Sequence, residues 1–234
     1  MNSALLLSIA FFSAAEPVPA AKTEKEALQP FNIIVGPWKA TGFPEGTREE
    51  RSKGFWIEDL QVCWKFQEKT AAIVIDFKKG KYYTQGELHY DAAKKNYRLT
   101  LQTVDKKEAV FIGELTIGSQ KEPVLTLDRT VGSEDQRITF TLLHANRFLY
   151  AYSTKPSAAK SYTRQYQVGA TKEGEPFAEV AKGPECIVSG GRGSMAVMHD
   201  GKTYYVCCSG CRDAFKEEPE KYIAEYEKKQ KEKK

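Results

Sequence analysis

Four cysteines fall within 26 residues near the C-terminus: Cys186, Cys207, Cys208 and Cys211. The other 208 residues of the 234-residue chain hold only Cys63. Thiols gathered this closely serve coordination of a soft metal ion, thiol–disulfide redox chemistry, or a structural disulfide. Twenty residues separate Cys186 from Cys207, and three separate Cys207 from Cys211. Cys208-Ser209-Gly210-Cys211 also has the Cys-x-x-Cys spacing of thiol oxidoreductases, but without the βαβ context of a thioredoxin fold. A disulfide between the adjacent Cys207 and Cys208 would be strained.

The elements around these residues are local and short. Cys186 precedes Ile187-Val188-Ser189-Gly190-Gly191, a glycine-rich turn able to curl around a thiolate as a knuckle. Ser194 to His199 reads as a strand, Asp200-Gly201 as a tight hairpin turn, and Lys202 to Val206 as the return strand. A helix then begins near Ser209 and places Phe215 on the face of Cys211. Pro219 suits the first turn of a second helix, running to about Lys229, with Tyr222 and Tyr226 as its apolar stripe. Thiols thus sit at the knuckle and at a helix start, where free amides and the helix dipole stabilise a thiolate. Ser189 stands where a Cys-x-x-Cys knuckle would have its second cysteine. Three thiolates suit trigonal Cu⁺ or an open tetrahedral Zn²⁺, with Cys208 and His199 as candidates for a fourth ligand. A unit of about 50 residues has little core of its own, so a metal would act as a staple.

The arrangement resembles the YHS/TRASH domains. Their pattern is a cysteine, about twenty residues, a second cysteine, three residues and a third, which Cys186, Cys207 and Cys211 match. Gly201-Lys202-x-Tyr204-Tyr205-x-Cys207-Cys208, Phe215 and Pro219-x-x-Tyr222 match the surrounding marks; His199 departs from them, standing where an aromatic residue is common. The resemblance covers roughly residues 183–226. It implies binding of a transition or heavy metal in sensing, trafficking or resistance. Some relatives are fused to copper transporters, which makes a membrane metal transporter a candidate partner.

From Phe31 to about Val168 the chain alternates apolar and polar residues in short runs, such as Tyr97, Leu99 and Leu101 against Arg98, Thr100 and Gln102. Ten such runs, with turn residues between them and no helical stretch, predict an up-and-down antiparallel β-barrel of about ten strands. Closure removes the two edges that a long meander would expose; a two-sheet sandwich is the alternative. The fold class expected is mainly β, α+β overall, with the small knuckle-hairpin-helix module at the C-terminus. Gly36-Pro37-Trp38 opens the first strand and Arg164 lies in the last. This resembles the calycin-type barrels, in which a basic residue of the final strand packs over the tryptophan, and it implies Arg164 in that role. Such a barrel either holds a small hydrophobic ligand or is filled by its own side chains.

The ionisable residues of this region, His89, His144, Glu58, Asp59 and Asp76, form no nucleophile–base order, and there is no phosphate-cradling glycine loop. A non-enzymatic protein is therefore expected. Cys63 reads as a buried free thiol in an apolar strand. The formal charge is +4, and the lysines of the tail alternate with glutamates. That pattern suits a solvated helix end rather than a nucleic-acid surface. Residues 4–12 form an apolar run broken only by Ser8 and are followed by Ser13-Ala14-Ala15, the plan of a secretory signal spanning residues 1–20, with cleavage after Ala15 or Ala20. Export to the periplasm or medium follows as an expectation, with no transmembrane segment in the mature chain. A flexible leader to Gln29, a barrel over 28–169, a linker over 170–182 and the cysteine module over 183–234 complete the expected organisation.

Overall fold

The structure, a computed structural model, describes residues 23–67, 70–144, 146–173 and 183–232. The expected signal segment and most of the expected linker lie outside these residues. No helix among them is long and apolar enough to cross a membrane.

Ten strands form the body: β1 Gly36–Pro44, β2 Trp56–Gln67, β3 Thr70–Lys78, β4 Tyr83–Asp91, β5 Asn96–Thr103, β6 Glu108–Ile117, β7 Pro123–Val131, β8 Glu134–His144, β9 Arg147–Pro156 and β10 Thr163–Lys172. Each pairs antiparallel with the next, and β1 pairs with β10 to close the barrel. Period-two alternation decides which face is inside. On β2, Glu58, Leu60, Val62 and Trp64 are buried, while Asp59, Gln61, Cys63 and Lys65 on the other face are less so. Ile73, Leu99, Leu125, Leu127, Phe148 and Val168, contributed by five strands, are all buried in the interior.

One barrel end is plugged. Helix α1, Glu24–Leu28, starts on a capping box in which Thr23 and Glu26 bond reciprocally. It continues as a 3-10 helix over Gln29–Ile34. Leu28, Phe31 and Ile34 insert into the core. Two polar contacts anchor the plug: the Tyr97 hydroxyl donates to the Ala27 carbonyl at 2.8 Å, and the Trp38 indole N–H donates to that of Ile34 at 2.7 Å. The expected flexible leader is therefore helical from Glu24 onward. A void bounded by Phe31, Ile34, Ile73 and Leu125 measures about 10 Å³, at the lower limit for one water. This end of the interior is filled by side chains.

Two further expectations need correction. The cation over Trp38 is Lys172, with Nζ 5.5 Å from the ring centroid. It faces Trp38 in the β1–β10 register, whereas Arg164 pairs with Glu45 near the opposite end of β10. The barrel region also contains a helix, α2, Arg48–Gly54, where no helical stretch was expected. Thr47-x-x-Glu50 caps it. None of its residues is buried, so it has no apolar stripe to announce it.

The C-terminal part carries β11 Met195–His199, β12 Lys202–Val206, α3 Ser209–Glu217 and α4 Pro219–Glu232. Asp200 and Gly201 both take positive φ, 47° and 72°, as a two-residue hairpin turn requires. This part docks on the barrel wall. Helix α3 lies against β2, and a Cβ added to Gly210 would come 1.7 Å from the Trp64 carbonyl oxygen. Only glycine permits that approach. Asn32 of the plug links the parts: its Oδ1 accepts from the Trp64 indole at 2.8 Å, and its Nδ2 donates to the Ser189 carbonyl at 3.0 Å. Lys229–Glu185 at 2.7 Å and Lys25–Glu225 at 3.1 Å close the periphery. Barrel and module thus share a packed interface.

Candidate metal centre

Three backbone contacts bring the knuckle to the hairpin. The Cys186 N–H donates to the Gly191 carbonyl at 2.7 Å and closes the turn. The Ile187 N–H donates to the Tyr205 carbonyl at 2.9 Å, and Ser194 N–H to that of Val206 at 2.9 Å. The end of β12 is thereby held beside Cys186. Cys207 follows β12 directly, and Cys211 lies in the first turn of α3 with Phe215 one turn further on, all three buried.

The sulfurs of Cys186, Cys207 and Cys211 lie within 4.8 Å of one another. Cys207 and Cys211 are 3.5 Å apart. Around a metal with bonds of about 2.3 Å, neighbouring thiolate sulfurs stand roughly 3.8 Å apart. The triad therefore has the spacing of a coordination shell, and a small adjustment of side-chain torsions would close it on an ion. Ser189 stays at the site without supplying a thiolate. Its hydroxyl lies 3.3 Å from the Cys207 sulfur, and its N–H points at the Cys186 sulfur at 3.5 Å. It acts as an outer partner orienting two thiols.

The remaining candidates go elsewhere. Cys208 is buried, with its sulfur 4.0 Å from that of Cys207, but it turns to the barrel and accepts the Trp64 N–H at 3.3 Å. His199 bonds Glu220 at 2.9 Å and lies 3.6 Å from Asp200, on the solvent side of Phe215. This second group of potential ligands pairs the histidine with two largely exposed carboxylates. All five thiols are free.

Cys63, expected as a buried free thiol of a barrel strand, is free but only half-buried, and it stands beside the module. It faces outward from β2, half-buried under α3, with its sulfur 3.9 Å from the hydroxyl of Ser209, the residue after Cys208. Its sequence distance from the module hid it. The outward register of position 63 between Val62 and Trp64 was the available signal. All five cysteines of the chain thus gather at the interface between barrel and module.

The charge in this group is uneven. Hydrogen bonds from Cys207 and Cys211 hold the Cys186 thiol down to about 2, against the opposing effect of burial. Cys208 is lowered by hydrogen bonds from Cys207, Cys211 and Cys63. Cys207 is raised chiefly through its bond to Cys186, Cys211 chiefly by burial, and Cys63 chiefly by its bond to Cys208. The hydrogen bonds thus favour the thiolate form at Cys186 and Cys208 and the thiol form at their neighbours, and a bound cation would displace the remaining protons.

A cleft of about 740 Å³ runs between α1, the knuckle and α4, with Cys186, Ser189, Tyr222 and Tyr226 among its walls. It brings solvent-accessible space to the back of the triad.

The ionisable barrel residues have structural partners. His89 joins Glu24 and Glu87 at 3.0 and 2.8 Å, tying α1 to β4. Asp59 pairs with Lys39, Asp76 accepts from Gln85, and His144 Nδ1 accepts the Asn146 N–H. Glu58 is buried inside the barrel and accepts from the Tyr150 hydroxyl. Burial raises its carboxyl above the ordinary range, more than that bond lowers it.

No protein-family model and no curated protein matches the chain.

Proposed function

We propose that the protein is an exported, non-enzymatic binder of a soft transition or heavy metal ion, Zn²⁺ or Cu⁺, used in sensing, trafficking or sequestration. Cys186, Cys207 and Cys211 would hold the ion. The observation that carries this reading is the convergence of three buried sulfurs within 4.8 Å. Soft thiolates select such ions, and three of them leave an open position from which the ion can be passed on. The likeness to YHS/TRASH domains points the same way, and the apolar N-terminal run supports export. Redox catalysis fits less well. The first thiol of the Cys-x-x-Cys, Cys208, is 4% exposed and covered by β2, whereas exchange needs an accessible sulfur. A hydrophobic ligand in the barrel would need more room than the void at the plugged end provides.

The test is metal content of protein purified without oxygen, followed by titration with Zn²⁺ and Cu⁺. Tight binding that disappears in a Cys207→Ser, Cys211→Ser double variant supports the reading. An intact fold that takes up neither ion overturns it.

A further inference from the structure

We propose that Cys63 and Cys208 form a second soft-metal site, a two-thiolate seat for a monovalent d¹⁰ ion such as Cu⁺ or Ag⁺, built across the interface between barrel and module. The inference rests on the proposal that the neighbouring triad binds a soft ion, and it adds a second ion to that centre.

The geometry is reciprocal. Cys208 places its sulfur on the amide of Trp64, the residue after Cys63, at 3.3 Å. Cys63 places its sulfur 3.9 Å from the hydroxyl of Ser209, the residue after Cys208. The close approach at Gly210 holds the two backbones at this separation. Each sulfur also has a donor of its own: Gln61 Nε2 donates to Cys63 at 3.5 Å, as the Trp64 N–H does to Cys208. Such N–H···S bonds are the outer partners that orient and stabilise metal-bound thiolates.

The triad does not absorb this pair. Its three sulfurs close on one another, while Cys208 turns away toward β2. Two thiolates suffice for Cu⁺ or Ag⁺, which accept linear coordination, but not for Zn²⁺, which fills a tetrahedron. The pair therefore discriminates by ion class, and thiol protons still present on it leave to solvent as the ion enters. An ion there would bond β2 to the start of α3, coupling metal loading to the docking of the module. The Cys207 sulfur, a member of the triad, lies 4.0 Å from that of Cys208 and offers a step for an ion moving from one seat to the other.

The experiment is anaerobic titration of the reduced full chain with Ag⁺, and separately with Cu⁺, counted by native mass spectrometry. Iodoacetamide labelling of Cys63 is followed at each equivalent. The expected result is two ions per chain, with Cys63 protected only by the second; Cys63→Ser and Cys63→Ala each bind one. A wild-type chain that binds one ion and leaves Cys63 open to alkylation overturns the second site while leaving the triad standing. Two ions bound in the Cys63 variants overturn it as well. A chain that binds none removes both proposals. The labelling readout uses unmodified protein and does not depend on the variants folding.

Discussion

The backbone N–H of Trp64 donates to the sulfur of Cys208 across 3.3 Å, from a barrel strand to the first residue of the cysteine-bearing helix's cap. This contact makes the barrel part of the thiol centre. A strand amide normally pairs within its sheet; here one edge of β2's environment is completed by a thiol of the module. Barrel and cysteine module are therefore expected to respond to one another's perturbation.

Gly210 is the first place to show this. A methyl group there would meet the Trp64 carbonyl oxygen, a backbone atom that cannot swing aside. Gly210→Ala is expected to push α3 from β2 and to cost about 1–3 kcal/mol. Urea unfolding reads the loss, and hydrogen exchange should show faster exchange at the Trp64 amide. A wild-type midpoint with unchanged Trp64 protection would contradict the docking.

Asn32 gives an independent measure. Its side chain satisfies the Trp64 indole and the Ser189 carbonyl together. Asn32→Ala leaves the indole N–H of a fully buried tryptophan without its acceptor, at a cost of about 1–3 kcal/mol. The knuckle should loosen too, seen as faster exchange at the Ser189 and Gly190 amides. Loss of stability without any change at the knuckle would show that the bridge to Ser189 is inconsequential.

The thiols should not be equivalent toward the first metal ion. Cys207→Ser removes a member of the triad and is expected to weaken the first equivalent by more than the roughly 10–100-fold typical of losing an outer partner. Cys208→Ser, outside the triad, should stay within or below that range. Competition titrations against a chromophoric chelator separate the two. Equal losses would make Cys208 a ligand of the first ion.

Glu58 predicts a pH dependence. Burial raises its carboxyl above the ordinary value of 4.5. Between that value and the raised one, the folded chain holds a proton that the unfolded chain has released. Stability is therefore full below 4.5 and falls as pH rises through the folded-state value. Glu58→Gln keeps an acceptor for Tyr150 and removes this slope. Urea midpoints measured from acid to neutral pH should decline more steeply in the wild type than in the variant. Parallel profiles would show that Glu58 ionises in the folded barrel as it does in the unfolded chain.

The barrel was legible because alternation over strands such as β5 leaves one reading, and because closure is the economical way to remove two edges. The hairpin of the module was legible from Asp200-Gly201, and the triad from the spacing of its cysteines. What escaped reading had a tertiary cause. Helix α1 looks like a polar leader because only Ala27 and Leu28 of its five residues are buried; its purpose lies in the plug that follows. Lys172 and Arg164 both stand on the last strand, and only the β1–β10 register decides which one meets Trp38. Cys63 is separated from Cys208 by 144 residues of intervening sequence and was joined to it by the docking of α3 on β2.

The most direct test of the central claim is X-ray absorption at the metal edge on reduced protein loaded with one equivalent of Zn²⁺ or Cu⁺. Three sulfur neighbours at about 2.3 Å, falling to two in Cys211→Ser, are the result expected of the Cys186–Cys207–Cys211 triad. A first shell of oxygen and nitrogen, or a sulfur count unchanged in Cys211→Ser, would contradict it.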